Sequence, residues 1–112
     1  MIHKEILLPA TREEVWAALT DPEELERWFA SEVELDLRPG GAARFRWGNG
    51  ESREAVVTSV EPGERLAFEW ADEGEVEFTL DDDADGTRLV VVETSPAWTT
   101  ALDLRASALA YA

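Results

Sequence analysis

The densest cluster of chemically capable side chains in this sequence is Asp81-Asp82-Asp83-Ala84-Asp85-Gly86, which matches the first half of a D-x-D-x-D-G calcium loop. Such a loop closes with a bidentate glutamate eleven residues after its first aspartate, and that position is Val92. Segments of strand periodicity, not helices, flank the run. It reads as a hairpin turn, and no metal site is expected. His3 is the only imidazole, and no Ser or Cys nucleophile stands at a recognisable spacing from it, so it reads as a surface histidine. No P-loop or dinucleotide fingerprint occurs, and no cofactor is expected. Glu54, Glu69 and Glu93 are the carboxylates that could act as acid or base if one of them pointed inward. Alternation along its strand places Glu69 outward, and nothing selects a carboxylate pair.

The aromatic residues carry a different chemistry. The chain has five Trp and four Phe, and Phe45, Trp47, Phe68, Trp70, Phe78 and Trp98 all fall on expected inward faces. Large rings of this kind either fill a core or line a pocket of roughly 300 Å³, enough for a small ligand. Arg105 interrupts the apolar stripe Trp98, Leu102, Leu109 of a terminal helix. It either snorkels to the rim and pairs with a sheet carboxylate, or faces the interior and holds a ligand carboxylate or phenolate. The expected ligand-binding set is Phe29, Phe45, Trp47, Phe68, Trp70, Phe78, Trp98, Leu102, Arg105 and Leu109. Trp16, Leu25 and Trp28 are expected to serve packing.

These side chains need a scaffold, and the sequence periodicity supplies one. Ile2 to Leu8 reads as a strand that stops at Pro9. Thr11-Arg12-Glu13-Glu14 fits a capping box opening a short helix, about Arg12 to Leu19. Asp21-Pro22-Glu23-Glu24 starts a second helix, capped by Asp21 or Thr20, with Leu25, Trp28 and Phe29 on one side. From residue 32 the period changes to two. Val33, Leu35 and Leu37 alternate with acidic residues, and the same pattern recurs in Ala43-Phe45-Trp47, Leu66-Phe68-Trp70 and Val76-Phe78-Leu80. The segments from Ser52 to Val60 and from Thr87 to Thr94 are more continuously apolar, so their inward parity stays open. Turns rich in Gly, Pro, Asn and Asp separate the runs, giving six strands in an antiparallel meander. Ser95-Pro96 opens a last helix whose apolar face should lie across the sheet.

Composition narrows the functional classes. The 112 residues include 25 acidic and 10 basic side chains, for a net charge of −15, with 45% hydrophobic residues and no cysteine. One domain spanning residues 1–112 is expected, with a radius of gyration of about 13 Å. The charge repels phosphate backbones and anionic headgroups, which argues against nucleic-acid and membrane partners. Without cysteine there is no disulfide framework or thiolate chemistry. No apolar run suits a membrane span or a secretory leader, and a cytoplasmic location is expected.

The order of elements, together with Leu8-Pro9-Ala10-Thr11-Arg12-Glu13-Glu14-Val15-Trp16, Leu19-Thr20-Asp21-Pro22-Glu23-Glu24-Leu25, Arg27-Trp28-Phe29, Leu37-Arg38-Pro39-Gly40-Gly41, Glu61-Pro62-Gly63-Glu64-Arg65-Leu66, Gly86-Thr87-Arg88-Leu89 and Trp98, resembles the START-like (SRPBCC) superfamily. Within it the chain is similar to bacterial proteins related to the activator of heat-shock-protein-90 ATPase. The resemblance implies an α+β helix-grip fold, in which a curved antiparallel sheet packs on a C-terminal helix around a cavity that holds apolar small molecules. At this length the cavity should be small or less covered. The reading favoured is non-catalytic binding of a small apolar or aromatic molecule by a monomer or weak homodimer. The alternatives are a protein-interaction module of co-chaperone type, with a protein partner, and a cyclase- or hydrolase-like enzyme using a cavity carboxylate.

Overall fold

A computed structural model of the chain describes residues 1–94 and 97–98. The terminal helix expected from Ser95 onward, with Leu102, Arg105 and Leu109, lies outside the described residues. The chain runs β1 (Ile2–Leu8), α1 (Arg12–Thr20), α2 (Pro22–Trp28), β2 (Glu32–Leu35), β3 (Ala42–Arg46), β4 (Ser52–Glu61), β5 (Arg65–Trp70), β6 (Glu75–Asp83) and β7 (Gly86–Glu93). The seven strands form one antiparallel sheet in the order β1-β7-β6-β5-β4-β3-β2, so the meander from β2 to β7 is extended by β1 alongside β7. This is the α+β architecture of a helix-grip fold. A register shift between Val57 and Ser59 bulges β4, a device that bends the strand and increases its local twist.

Local sequence explains the two helices between β1 and β2. Thr11 Oγ1 accepts from the Glu14 amide at 3.2 Å, and the Glu14 carboxylate accepts from the Thr11 amide, completing the capping box. Asp21 ends α1 and begins α2: its amide donates to Ala17 O, and its carboxylate accepts from the Glu23 amide at 2.9 Å. Thr20 takes no part in that cap, because its hydroxyl donates to Trp16 O. Trp28 Nε1 donates to Ala18 O at 2.8 Å and ties α2 to α1. The second helix therefore delivers Phe29 to the sheet at a fixed angle.

Alternation separates a dry inner face from a wet outer one. Phe45, Leu66, Phe68, Trp70, Phe78 and Leu80 are buried, with Val15, Leu19 and Leu25 packing on them from the helices. Each such side chain stabilises by about 1.5–3 kcal/mol through the apolar area removed from water. The parity left open by the sequence is now fixed: Ala55 and Val57 point inward from β4, as do Thr87, Leu89, Val91 and Glu93 from β7. On the outer face Arg44 bridges Glu34 and Glu54 on its two neighbouring strands, and Arg46 pairs with Glu32. Such cross-strand pairs of opposite charge favour this register over its slips.

Leu37 departs from the alternation expected of Val33, Leu35 and Leu37. β2 ends at Leu35 because the chain turns, with the Arg38 amide bonded to Asp36 O and the Gly41 amide to Arg38 O, and Leu37 is left exposed. The acidic run is the β6–β7 hairpin. Asp83 accepts from the Asp85 amide at 3.1 Å and pairs with Arg88 at 3.1 Å. Gly86 closes that hairpin at φ +145°, where a Cβ would collide with the Leu8 carbonyl oxygen, so β1 and β7 meet here only because the residue is glycine. Among the described residues no helix is long and apolar enough to cross a membrane.

Candidate functional site

The inner face of the sheet gathers most of the aromatic residues singled out above, and the residue at their centre is Trp98. The route to it starts at Glu93, the last residue of β7, which is on the inward parity and fully buried. Glu93 Oε1 accepts from the backbone amides of Ala97 and Trp98, both at 3.2 Å. A carboxylate facing consecutive free amides makes charge-assisted bonds, stronger than those of a neutral acceptor. Ala97 and Trp98 are thereby held at the end of β7, and the Trp98 ring packs among the rings of the inner face.

That ring is fully buried and lies between parallel and perpendicular neighbours. Its plane is within 3° of the Phe29 ring at 3.7 Å between centroids, and within 4° of the Phe68 ring at 6.0 Å. Phe78, Phe45 and Trp28 meet it at steep angles, at 5.1, 5.5 and 5.7 Å. Offset-stacked and edge-to-face pairs of this kind contribute about 0.5–1.5 kcal/mol each beyond their area burial. The indole nitrogen of Trp98 is not accommodated: Nε1 is buried with no hydrogen-bond partner. An unsatisfied donor of this sort costs about 1–3 kcal/mol in desolvation. By contrast, Trp28 Nε1 donates to Ala18 O and Trp47 Nε1 to Phe29 O at 2.6 Å.

A second group sits at the edge of the cluster. Trp70 reaches Phe45 at 5.8 Å, and the Arg53 guanidinium lies 3.9 Å over the Trp70 ring while pairing with Asp72 at 3.2 Å. The Asp72 carboxyl is held below the usual aspartate range, first by the Glu73 amide and next by Arg53. The cation–π contact and the ion pair hold Arg53 on the inward side of β4 at its N-terminal end.

Of the expected ligand-binding set, the structure brings Phe29, Phe45, Phe68, Phe78 and Trp98 together, and joins Trp47 and Trp70 to them through Phe45. Leu102, Arg105 and Leu109 lie outside the described residues. Trp28, expected only to pack, contacts both Trp98 and Phe29. Glu93 turns inward, unlike Glu54 and Glu69, and its carboxylate holds backbone amides. Its parity is not readable from the strand alone, since Val90 and Val92 make the opposite face as apolar as Leu89 and Val91 make this one.

Two surface depressions formed by described residues lie outside the centre of the cluster, although Phe68 lines the first of them. One of about 390 Å³ runs beside the β4 bulge past Thr58, Arg65, Glu75 and Glu77, and another of about 370 Å³ separates Pro9 and Ala10 from Val15 and Ala18 of α1. The first mixes charged and polar groups with apolar ones, and the second lies between α1 and the end of β1. Neither has convergent polar groups aimed at an enclosed space, so the ring cluster is the better candidate.

Comparison with known proteins gives a consistent frame. The family described as activator of Hsp90 ATPase homolog 1-like protein matches residues 9–109. The crystal structure of CalU16 from Micromonospora echinospora is similar at 30% identity and a TM-score of 0.73, over 96% of this chain and 73% of that one. DynU16, a protein of the dynemicin biosynthetic locus, is similar at 28% identity and a TM-score of 0.80 over 98% of this chain. The chain spans 45% of the length of DynU16. The Aha1 dimer from Colwellia psychrerythraea shares the fold at 22% identity, with a TM-score of 0.81 over 96% of this chain and 94% of that one. No curated protein matches the sequence.

Proposed function

Because this chain belongs to the activator of Hsp90 ATPase homolog 1-like family, which matches it over residues 9–109, we propose that it binds a small, flat, apolar or aromatic molecule over the inner face of its sheet, without chemical turnover. The site is the ring cluster of Phe29, Phe45, Trp47, Phe68, Trp70, Phe78 and Trp98, completed by Leu102, Arg105 and Leu109 of the terminal segment.

The observation that carries this reading is the parallel alignment of Trp98 with Phe68 at 6.0 Å. A flat guest between two parallel rings needs their planes about 7 Å apart, twice the optimal carbon–carbon separation, so the two rings, already parallel, have to move apart to admit it. Dispersion with both faces and displacement of the guest from water supply the affinity. Binding without turnover fits the buried carboxylate among the described residues, Glu93, which already serves two backbone amides. In the test, isotope-labelled protein is titrated with naphthalene derivatives while aromatic resonances are followed. The expected result is saturable shifts confined to Phe29, Phe45, Phe68, Phe78 and Trp98. Shifts scattered over the outer face, or none, would overturn the reading.

A second reading, a protein-interaction module, is favoured by one observation: Trp98 is itself fully buried and occupies the hollow. On that reading the rings are core and the guest site is absent. Native mass spectrometry of protein taken from its host separates the two, because a retained small mass supports the first and a co-purifying chain the second.

A further inference from the structure

The geometry points to a hydrogen-bond acceptor on the guest: the flat ligand carries a carbonyl or ether-type oxygen that receives the indole N–H of Trp98. This rests on the ligand-binding reading above and adds to it the chemical class of the ligand. The observation behind it is the buried Trp98 Nε1, which has no partner while two other indoles of the same cluster, Trp28 and Trp47, donate to backbone carbonyls.

Three considerations turn that observation into a site. The ring is surrounded by Phe29, Phe45, Phe68, Phe78 and Trp28. A buried water needs two to four polar partners, and the described rings around Trp98 offer none, so among the described residues water is a poor occupant for the orphan donor. A phenylalanine at 98 would fill much of the same stack with no stranded donor, so the indole adds a polar handle at a cost in stability. Buried polar groups in native proteins are nearly always satisfied, so an exception calls for a physical reason, and a partner that arrives with a ligand supplies one. A neutral oxygen about 2.9 Å from Nε1, on a molecule otherwise held by ring faces, meets that requirement. Specificity follows from the same donor: an analogue lacking the oxygen leaves the N–H unpaired, and sites built this way reject it.

The experiment compares 2-acetylnaphthalene with 2-isopropylnaphthalene, which has nearly the same shape without the oxygen. The intact chain, labelled with nitrogen-15, is titrated with each, following the Trp98 indole N–H resonance and the dissociation constant. The ketone is expected to bind about ten-fold more tightly and to move the indole proton downfield, while the hydrocarbon leaves that proton near its free position. Trp98→Phe should bring the ratio of the two affinities close to one. Equal affinities with an unmoved N–H, as when the donor already rests on a neighbouring ring face, would overturn the inference while leaving the ring cluster as a ligand site. A ratio that survives Trp98→Phe would overturn it as well. If neither compound bound, the ligand-binding reading would fall and this inference with it.

Discussion

Glu93 and Trp98 are joined by a hydrogen bond of 3.2 Å from the Trp98 amide to Glu93 Oε1, and the same oxygen receives the Ala97 amide. The contact links the end of the sheet to the centre of the ring cluster. A carboxylate on the inner face is thus the anchor of a fully buried aromatic residue, and the end of the sheet is tied directly to the cluster.

Removing the anchor should be graded by chemistry. Glu93→Gln keeps an oxygen for the two amides but loses the charge, so a destabilisation of about 1 kcal/mol is expected. Glu93→Ala leaves both amides bare and should cost about 2–4 kcal/mol. Urea unfolding measures both, and near-ultraviolet circular dichroism reports whether the indole packing is lost alongside. Equal losses for the two variants would show that the oxygen does not hold the amides.

Truncation of Trp98 itself should cost about 3–5 kcal/mol, the range for a large buried ring replaced by alanine. Trp98→Phe should cost much less than its lost area suggests, because it also removes a donor that is buried and unpaired. Denaturant midpoints compared at a constant slope test this. A phenylalanine variant as unstable as the alanine one would show that the N–H has a partner after all.

Much of this arrangement was legible in the sequence, for reasons specific to particular residues. The capping box at Thr11 and the Asp21-Pro22 start depend on local chemistry, and both formed as read. Phe45, Phe68 and Phe78 alternate with polar neighbours, and strand period alone placed them inward. β7 was harder: with Val90 and Val92 between Leu89, Val91 and Glu93, both faces look apolar, and only pairing with β1 and β6 reveals that Glu93 is the inner one. Leu37 misled because its alternation continues past the residue at which the turn's own hydrogen bonds take over. The orphan Trp98 Nε1 had no sequence signal, since satisfaction of a donor is decided by partners distant in the chain.

Gly86→Ala should be among the most damaging small substitutions. The added methyl meets the Leu8 carbonyl and demands a backbone conformation rare for L side chains, so more than about 2 kcal/mol should be lost. Thr87 Oγ1 donates to Ala10 O at 2.7 Å beside it, so the same strain loosens the exit from β1. Hydrogen exchange should show lost protection first in β1 and β7. Protection lost evenly over the sheet would mean that the strain is not local.

Acid should act on the Arg53–Asp72 pair in a defined direction. The folded-state pKa of Asp72 is depressed, so its contribution to stability is complete above the ordinary aspartate value and fades as pH falls through the lower folded value. Arg53→Gln should raise the Asp72 pKa only part of the way, because the Glu73 amide, the larger cause, remains. Carbon-13 titration of the carboxyl tests this. An unchanged Asp72 pKa in that variant would mean that the guanidinium is committed to the Trp70 ring alone.

Salt tests which electrostatic effect governs the whole molecule. All eight described arginines pair with carboxylates, yet the sequence has 25 acidic against 10 basic side chains, so the excess is 15 negative charges. Exposed pairs contribute about 0–1 kcal/mol each and screening weakens them, whereas the same screening relieves repulsion spread over the entire surface. Raising sodium chloride from about 10 mM to about 150 mM shortens the Debye length from roughly 30 Å to 8 Å, and the melting temperature should rise. Arg44→Gln sharpens the test, since Arg44 lies between Glu34 at 3.7 Å and Glu54 at 3.4 Å. Its removal should destabilise by about 1 kcal/mol at low salt and by less at high salt. A melting temperature that falls with salt in the unsubstituted protein would instead mean that attraction along the cross-strand ladder outweighs repulsion among the excess carboxylates.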